Sequence, residues 1–308
     1  MNIRNAVWLI FIGIAAPVLP AFASDLKIVA TTPDLGSIVK EVVAETGAQL
    51  DTLGRPSEDP HFVDAKPSFI LKLNRADVLV EGGAELEVGW LPALLDQSRN
   101  EKIASGAPGH VSCAKAVDLL EVPVSLDRSR GDEHAAGNPH YLTDPVNAQR
   151  VARYISESLC SVDQGSCERY RSNAQRFSDQ LDSRLRDWNA RLAPFRGRQI
   201  VAYHNSWPYF VKRFGLRLDL FLEPKPGIPP TPANLANVIS RMKAEKIGVI
   251  IVDPYLNRQT AETVARSTNA RVLDVAQFPG GIKGTEDGYV ALLDYLVNSL
   301  ADALSKGE

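Results

Sequence analysis

Residues 167–193 read CERYRSNAQRFSDQLDSRLRDWNARLA, a segment that contains neither glycine nor proline and is followed by Pro194. Its apolar side chains recur at steps of three and four residues, the spacing of one helical face; they are Tyr170, Ala174, Phe177, Leu181, Leu185, Trp188 and Leu192. At 1.5 Å per residue, a helix of this length spans roughly 40 Å. The segment therefore predicts one long helix, a rigid connector between the two parts of the chain that flank it.

Short apolar strands alternate with helices on both sides of this connector. Before it, strands are predicted at 26–32, 49–53 and 78–81, with helices at 37–46 and 69–76, the second capped by Ser68. After it, strands are predicted at 199–203, 218–222, 247–252 and 271–275, with helices at 207–214, 232–245, 260–268 and 286–304. This alternation is typical of βαβ units and parallel sheets.

The pattern predicts an α/β fold of two lobes, each with a mainly parallel sheet flanked by helices. We place the N-terminal lobe at 24–163, the connecting helix at 164–195 and the C-terminal lobe at 196–308. Residues 1–23 combine an early arginine, an apolar run and an Ala-Phe-Ala step, which is typical of a cleaved secretory signal peptide. We therefore expect an exported protein that does not itself span a membrane.

Composition narrows the function classes. The chain has 308 residues, 44% of them hydrophobic, and a formal net charge of −3, so it has no basic footprint for nucleic acid.

Cys160 and Cys167 are seven residues apart, and in an oxidising compartment they predict a local disulfide. Two reduced thiols are the alternative, and a soft-metal site is less favoured because two cysteines do not complete a tetrahedron.

Three of the five histidines occupy special local settings. His61 and His140 each follow a proline in a predicted loop, and His204 stands at the end of a predicted strand. Ligands in open α/β sheets bind beyond the carboxyl ends of strands. Each histidine taken alone is better explained by a structural role or simple exposure, and dispersed ligands have no spacing signature that would change this.

The order of several short motifs resembles a known family, the metal-specific solute-binding proteins of bacterial ABC importers for zinc and manganese. The motifs are Ile28–Thr32, Asp59-Pro60-His61, Lys66-Pro67-Ser68, Ala76–Val80, Asn138-Pro139-His140 to Asp144-Pro145, Tyr203-His204, Phe214-Gly215-Leu216 and the long helix. The resemblance covers essentially the whole chain after the signal peptide. It implies a periplasmic protein that holds one metal ion between two lobes and delivers it to an inner-membrane ABC permease driven by a separate ATPase.

The resemblance also implies a ligand set. The family's positions match His61, His140 and His204, and its fourth ligand, a carboxylate, has its nearest counterpart in Asp274, with Glu223 or a water as alternatives. Three imidazoles and one carboxylate favour Zn²⁺ over Mn²⁺, which prefers oxygen ligands. Residues 131–134 stand where zinc members often carry a metal-collecting loop. This loop contains only one histidine and two acids, so we expect His134 to be solvated and not to collect metal. Separately, we expect His110 to lie at the surface.

Other functions remain as alternatives. A manganese- or iron-binding member of the same family would share the fold, and a zinc-dependent hydrolase would use a three-histidine site with an open position. No HExxH, GxSxG or phosphate-binding glycine motif accompanies the histidines, which argues against an enzyme. A surface adhesin is disfavoured because no cysteine for a lipid anchor stands at the predicted cleavage site. We expect a monomer that binds neither nucleic acid nor membrane.

Overall fold

The structure is a computed structural model that describes residues 25–125 and 134–305. The predicted signal peptide at 1–23 and residues 131–133 of the acidic loop lie outside the described residues. Within these two ranges, no helix is both long enough and apolar enough to cross a bilayer.

The first sheet lies entirely before the long helix. Its strands are β1 (Lys27–Ala30), β2 (Gln49–Thr52), β3 (Val78–Glu81) and β4 (His110–Ser112), and they pair in parallel in the order β2-β1-β3-β4. The helices of this part are α1 (Pro33–Val42), α2 (Pro67–Arg75) and α3 (Leu91–Ser98). Because the strands are parallel, their carboxyl ends share one edge of the sheet, and the loops that follow them meet there.

The second sheet follows the long helix. It comprises β5 (Val201–Ala202), β6 (Val249–Val252) and β7 (Arg271–Asp274), paired in parallel in the order β5-β6-β7. Its helices are α6 (Pro208–Phe214), α7 (Pro232–Glu245), α8 (Arg258–Thr268) and α9 (Tyr289–Ser305). Two parallel sheets flanked by helices confirm the predicted fold class.

The strand predicted at 218–222 was wrong. This segment makes only two isolated bridges with the region of β5, Gln199 with Arg217 and Ala202 with Phe221. The partner offset changes by one residue between the two bridges, and such a slip interrupts a regular ladder. The segment therefore runs beside β5 without becoming a strand.

The starts of α1 and α2 were predicted too late, at residues 37 and 69, because prolines begin these two helices. Proline stands at the first or second position of α1, α2, α3, α4 (Pro145–Val162), α6 and α7. It suits this position because its missing N–H is unpaired there in any helix. Thus α2 begins at Pro67 with Lys66 as its N-cap, and Ser68 lies inside the helix. Helices α3 and α4 and strand β4 were not predicted at all.

Helices α4 (Pro145–Val162) and α5 (Cys167–Leu192) form an antiparallel hairpin, and the disulfide between Cys160 and Cys167 closes its turn, as predicted. Helix α5 has 26 residues and matches the predicted connector. Asn173 Nδ2 donates to the Val42 carbonyl at the end of α1, 2.9 Å away. Near the other end, Trp188 Nε1 donates to Oδ1 of Asp294 in α9, at 2.7 Å. The helix is therefore fastened to both halves of the chain.

One of the apolar clusters among the described residues continues through both halves. It includes buried residues of α1, β1, β3, α4, α5, α6, β6 and α9. A partly buried ion pair also joins the halves: Arg213 of α6 donates from Nε and Nη2 to the two carboxylate oxygens of Asp144, at 2.7 and 2.8 Å. Asp144 is the N-cap of α4 and accepts from Val146 N as well. The exact lobe boundaries at 163/164 and 195/196 stay a prediction.

Candidate metal centre

Three imidazoles from distant parts of the chain meet between the two halves. His61 belongs to the loop after β2, His140 immediately precedes a 3-10 turn before α4, and His204 follows β5. One ring nitrogen from each lies within 4.8 Å of the others. The ring centroids are 5.1 Å apart for His61 and His140, 5.9 Å for His61 and His204, and 5.6 Å for His140 and His204.

The spacing of these nitrogens suits a small divalent ion. Nε2 of His61 lies 3.3 Å from Nε2 of His140. Two ligands at 2.0–2.1 Å from a tetrahedral zinc ion are about 3.3 Å apart, since the tetrahedral edge is roughly 1.63 times the bond length. The His61–His140 pair is therefore set for a common tetrahedral ion.

The loop around His61 is fixed by its own backbone and by α3. The His61 N–H donates to Oδ1 of Asp59 at 2.9 Å, which closes a turn around Pro60. Trp90 Nε1 donates to the Pro60 carbonyl at 2.9 Å. Gly89 passes so near that a Cβ there would lie 2.9 Å from the His61 carbonyl oxygen. The segment before α3 thus supports the first ligand from behind.

His140 is held by a network that crosses between the halves. Its N–H donates to Oδ1 of Asn138 at 3.0 Å, and the Asn138 amide donates to the Asn205 carbonyl at 2.9 Å. Both Asn138 and Asn205 also donate to Oε2 of Glu121, at 3.0 and 2.8 Å. Because Asn205 directly follows His204, this network links the backbone of the second ligand to that of the third.

His204 is oriented by a carboxylate. Its Nδ1 lies 2.7 Å from Oε2 of Glu223, and both side chains are largely buried, at 13% and 11% exposure. A carboxylate that accepts from Nδ1 leaves Nε2 unprotonated and directed at the other imidazoles, which is the tautomer a metal requires. Glu223, an alternative fourth ligand in the sequence analysis, therefore lies behind the ligand ring.

The three imidazoles differ in basicity. Burial lowers the pKa of His61 to about 3, helped by the nearby His134 and His204. Burial likewise holds the pKa of His140 well below its usual range. His204 is also desolvated, yet the carboxylates of Glu223, Asp59 and Asp253 raise its pKa above the ordinary value. Two ligands are therefore neutral and ready to bind at neutral pH, and His204 is the one for which protons compete with a metal.

The structure does not bring Asp274 to this cluster. Asp274 ends β7 with an exposed side chain (54%) whose carboxylate is ion-paired with Arg258. The buried carboxylate near the site is Asp253, which directly follows β6 and which sequence reasoning missed. Burial raises its pKa to about 7, Oδ2 accepts from Trp207 Nε1 at 3.3 Å, and Oδ1 has no hydrogen-bond partner among the described residues. The sequence did contain a signal for Asp253, because it is an acidic residue directly after a predicted buried strand.

Two expectations about the other histidines were wrong. The His134 ring is only 15% exposed and stacks on His61, with centroids 5.0 Å apart and planes at 19°. Together with His140 and His204 it lines a cavity of about 260 Å³ that opens beside the cluster. The His110 ring is 9% exposed, so it is not a surface residue.

Comparison with known proteins shows which family has this sequence and fold. A family model described as zinc-uptake complex component A, periplasmic (ZnuA), matches residues 28–303. The zinc uptake protein ZnuA of Bacillus subtilis is 25% identical over 286 residues, which cover 91% of this chain and 88% of that protein. ZnuA of Brucella suis is 27% identical over 167 residues, so the alignment covers 54% of this chain and half the length of that relative.

Manganese proteins are also among the relatives. The manganese ABC transporter substrate-binding lipoprotein PsaA of Streptococcus anginosus is 22% identical over 290 residues, covering 91% of this chain and 90% of that protein.

Solved structures support the fold. A crystal structure of ZnuA superposes with a TM-score of 0.76 at 19% identity, covering 91% of this chain and 99% of that one. A manganese-bound periplasmic metal-binding protein from Candidatus Liberibacter asiaticus gives 0.75 at 20% identity, covering 90% and 98%. The family match from residue 28 to residue 303 establishes that this chain belongs to the ZnuA family of periplasmic zinc-uptake components.

Proposed function

We propose that this protein is a periplasmic zinc carrier that binds one Zn²⁺ through His61, His140 and His204. The observation that supports this most directly is the convergence of three imidazole nitrogens within 4.8 Å of one another. The relatives with full-length alignments include a zinc uptake protein and a manganese transporter protein.

The donor set favours zinc over manganese. Neutral imidazole nitrogen suits Zn²⁺, whereas Mn²⁺ is better served by carboxylate and carbonyl oxygen. The carboxylate nearest the ligand ring, Glu223, faces Nδ1 of His204 from behind. Nitrogen therefore dominates the surface that faces the ion.

The fourth position is proposed for an oxygen ligand other than Asp274. The Asp274 carboxylate is paired with Arg258 at the surface. Asp253 is buried and lies close enough to His204 for each to shift the other's pKa. Its negative charge, together with that of Glu223, offsets the charge of a bound divalent ion. We assign the open position to water or to Asp253.

The carrier would pass its ion to an ABC permease in the inner membrane, with a separate ATPase supplying the energy, and would act as a monomer without catalytic turnover. Helix α5 is fastened to both halves, and the Arg213–Asp144 pair also joins them. These ties oppose wide opening, so release would proceed through loop movement or a small tilt of the halves.

The test is a titration of the metal-free chain from residue 24 onward with Zn²⁺ and Mn²⁺, followed by calorimetry and by melting temperature. We expect one tight zinc site that raises the melting temperature, with weaker manganese binding. His204→Ala should bind zinc far more weakly and keep its metal-free melting temperature. Asp274→Asn is the matched control. A preference for manganese, or wild-type zinc affinity in His204→Ala, would overturn the proposal.

A further inference from the structure

A second cavity among the described residues lies away from the metal centre. It measures about 600 Å³ and stands at the β4 edge of the first sheet, between that strand and helix α3. Small-molecule sites typically have volumes of about 300–1,000 Å³. Neither the imidazole cluster nor the inter-half network uses this space.

The lining of this cavity combines an apolar wall with a surplus of carboxylates. Val88, Leu91 and Leu95 supply apolar surface, and Glu81, Asp96 and Glu101 supply carboxylates, with Arg99 as a positive group at the rim. The side chains of Asp96 and Glu101 are in no hydrogen bond or ion pair that the structure describes. Unpaired acids beside an apolar wall would attract a cation that carries an apolar body.

A buried histidine at the cavity distinguishes this place from a cluster of acids on the surface. The His110 side chain is 9% exposed, and neither ring nitrogen has a hydrogen-bond partner among the described residues. Its Nε2 is 3.2 Å from Oε1 of Glu81, an ion-pair contact without hydrogen-bond geometry. The Glu81 carboxylate raises the pKa of His110, which favours the ion pair. The pair places a largely buried carboxylate, that of Glu81 at 18% exposure, on the cavity wall.

We propose that this cavity is a second ligand site, for a small organic cation with an apolar or aromatic body. The cationic group would lie against Asp96, Glu101 and the Glu81–His110 pair, and the body would cover Val88, Leu91 and Leu95.

The segment 83–90 connects this cavity to the metal centre. Gly83, Ala84 and Glu85 all have left-handed backbone, with φ of 72°, 51° and 66°. Residues other than glycine rarely adopt this backbone conformation, so Ala84 and Glu85 are strained. Such strain is maintained only where the surrounding structure fixes the backbone. Glu85 lines the cavity and accepts from Ala135 N at 2.6 Å, next to His134.

The opposite side of the same segment supports the first ligand. A Cβ at Gly89 would lie 2.9 Å from the His61 carbonyl oxygen, and Trp90 Nε1 donates to the Pro60 carbonyl at 2.9 Å. A ligand that orders segment 83–90 would therefore change zinc affinity, and by linkage zinc would change the ligand's affinity equally. This coupling rests on the proposed zinc site, whereas the cavity site does not.

The test uses benzamidine as the cationic probe and benzamide as its neutral isostere, with binding followed by calorimetry. Benzamidine should bind at least tenfold more tightly than benzamide. The double variant Asp96→Asn, Glu101→Gln should lose roughly tenfold of that affinity, the order expected for hydrogen bonds to a charged group. Ala104→Trp should block the cavity, and Glu168→Gln on the exposed face of α5 should change nothing.

Equal binding of the two probes, or undiminished benzamidine binding in the double variant and in Ala104→Trp, would overturn the cavity site. Zinc affinity measured with and without saturating benzamidine tests the coupling, and an unchanged value would refute it. If benzamidine binds as expected while the chain binds no zinc, the proposed function fails and the cavity site stands.

Discussion

Replacing Glu223 should weaken zinc binding although Glu223 does not face the ion. Its carboxylate lies 2.7 Å from Nδ1 of His204, and both side chains are nearly nine-tenths buried. A hydrogen bond to a charged group contributes about 1.5–3 kcal/mol, and loss of a carboxylate behind a ligating histidine lowers metal affinity about 10- to 100-fold. Glu223→Gln keeps a neutral acceptor for Nδ1, so it should lie near the tenfold end, and Glu223→Ala near the hundredfold end.

The loss of zinc affinity in the Glu223 variants should depend on pH. Glu223 raises the pKa of His204, so in the wild type protons begin to compete with zinc at a higher pH than in Glu223→Gln. The wild-type advantage should therefore be full above the wild-type pKa of His204 and shrink as pH falls through it. Competition titrations against a chelator of known affinity at pH 7.5, 6.5 and 5.5 measure this directly.

The same variants decide whether Glu223 is itself a ligand. If it only orients His204, the visible spectrum of the Co²⁺-substituted protein should keep its shape in Glu223→Gln, because the three nitrogens remain. A changed spectrum would place Glu223 in the coordination sphere. Zinc affinity equal to wild type in both variants, or a deficit independent of pH, would refute an orienting role for Glu223.

Three further outcomes are expected. Asp274→Asn should bind zinc within about twofold of wild type in the same competition titration, since a surface ion pair contributes little; a tenfold loss would restore Asp274 as a ligand. Near pH 6, zinc binding should displace one proton from His204, whose pKa is raised, and up to one more from Asp253, whose pKa burial raises to about 7, but none from His61, whose pKa is lowered to about 3. Calorimetry in buffers of different ionisation enthalpy counts these protons, and a release of three would contradict the assignment. In the metal-free protein, burial raises the pKa of Glu87 from 4.5 to about 7. Between pH 4.5 and pH 7 the folded state therefore binds more protons than the unfolded state. The free energy of unfolding should fall by up to about 1.4 kcal/mol per pH unit as pH rises through this range. Urea titrations should show a flatter pH dependence in Glu87→Gln than in wild type or Glu168→Gln, and identical slopes would argue against a protonated Glu87.

Local patterns in the sequence were enough for the elements that depend on local periodicity. Helix α5 begins where predicted and ends one residue earlier, at Leu192, because a single face repeats over seven turns without glycine or proline. Strand β3 and helix α7 have the predicted bounds, and the close Cys160–Cys167 spacing predicted their disulfide. The starts of α1 and α2 were missed although a proline leads each of them, a signal that was present but not used.

The sequence by itself determined the α/β class, the connecting helix and, through resemblance, the three histidines. Tertiary structure alone decided which carboxylates stand near them. Asp274 and Asp253 both stand at or directly after the end of a short parallel strand, and nothing local distinguishes them. Arg258 draws Asp274 to the surface, while packing around Trp207 buries Asp253 beside His204. Coordination depends on distances across the fold, and these follow from packing between segments that are far apart in the chain.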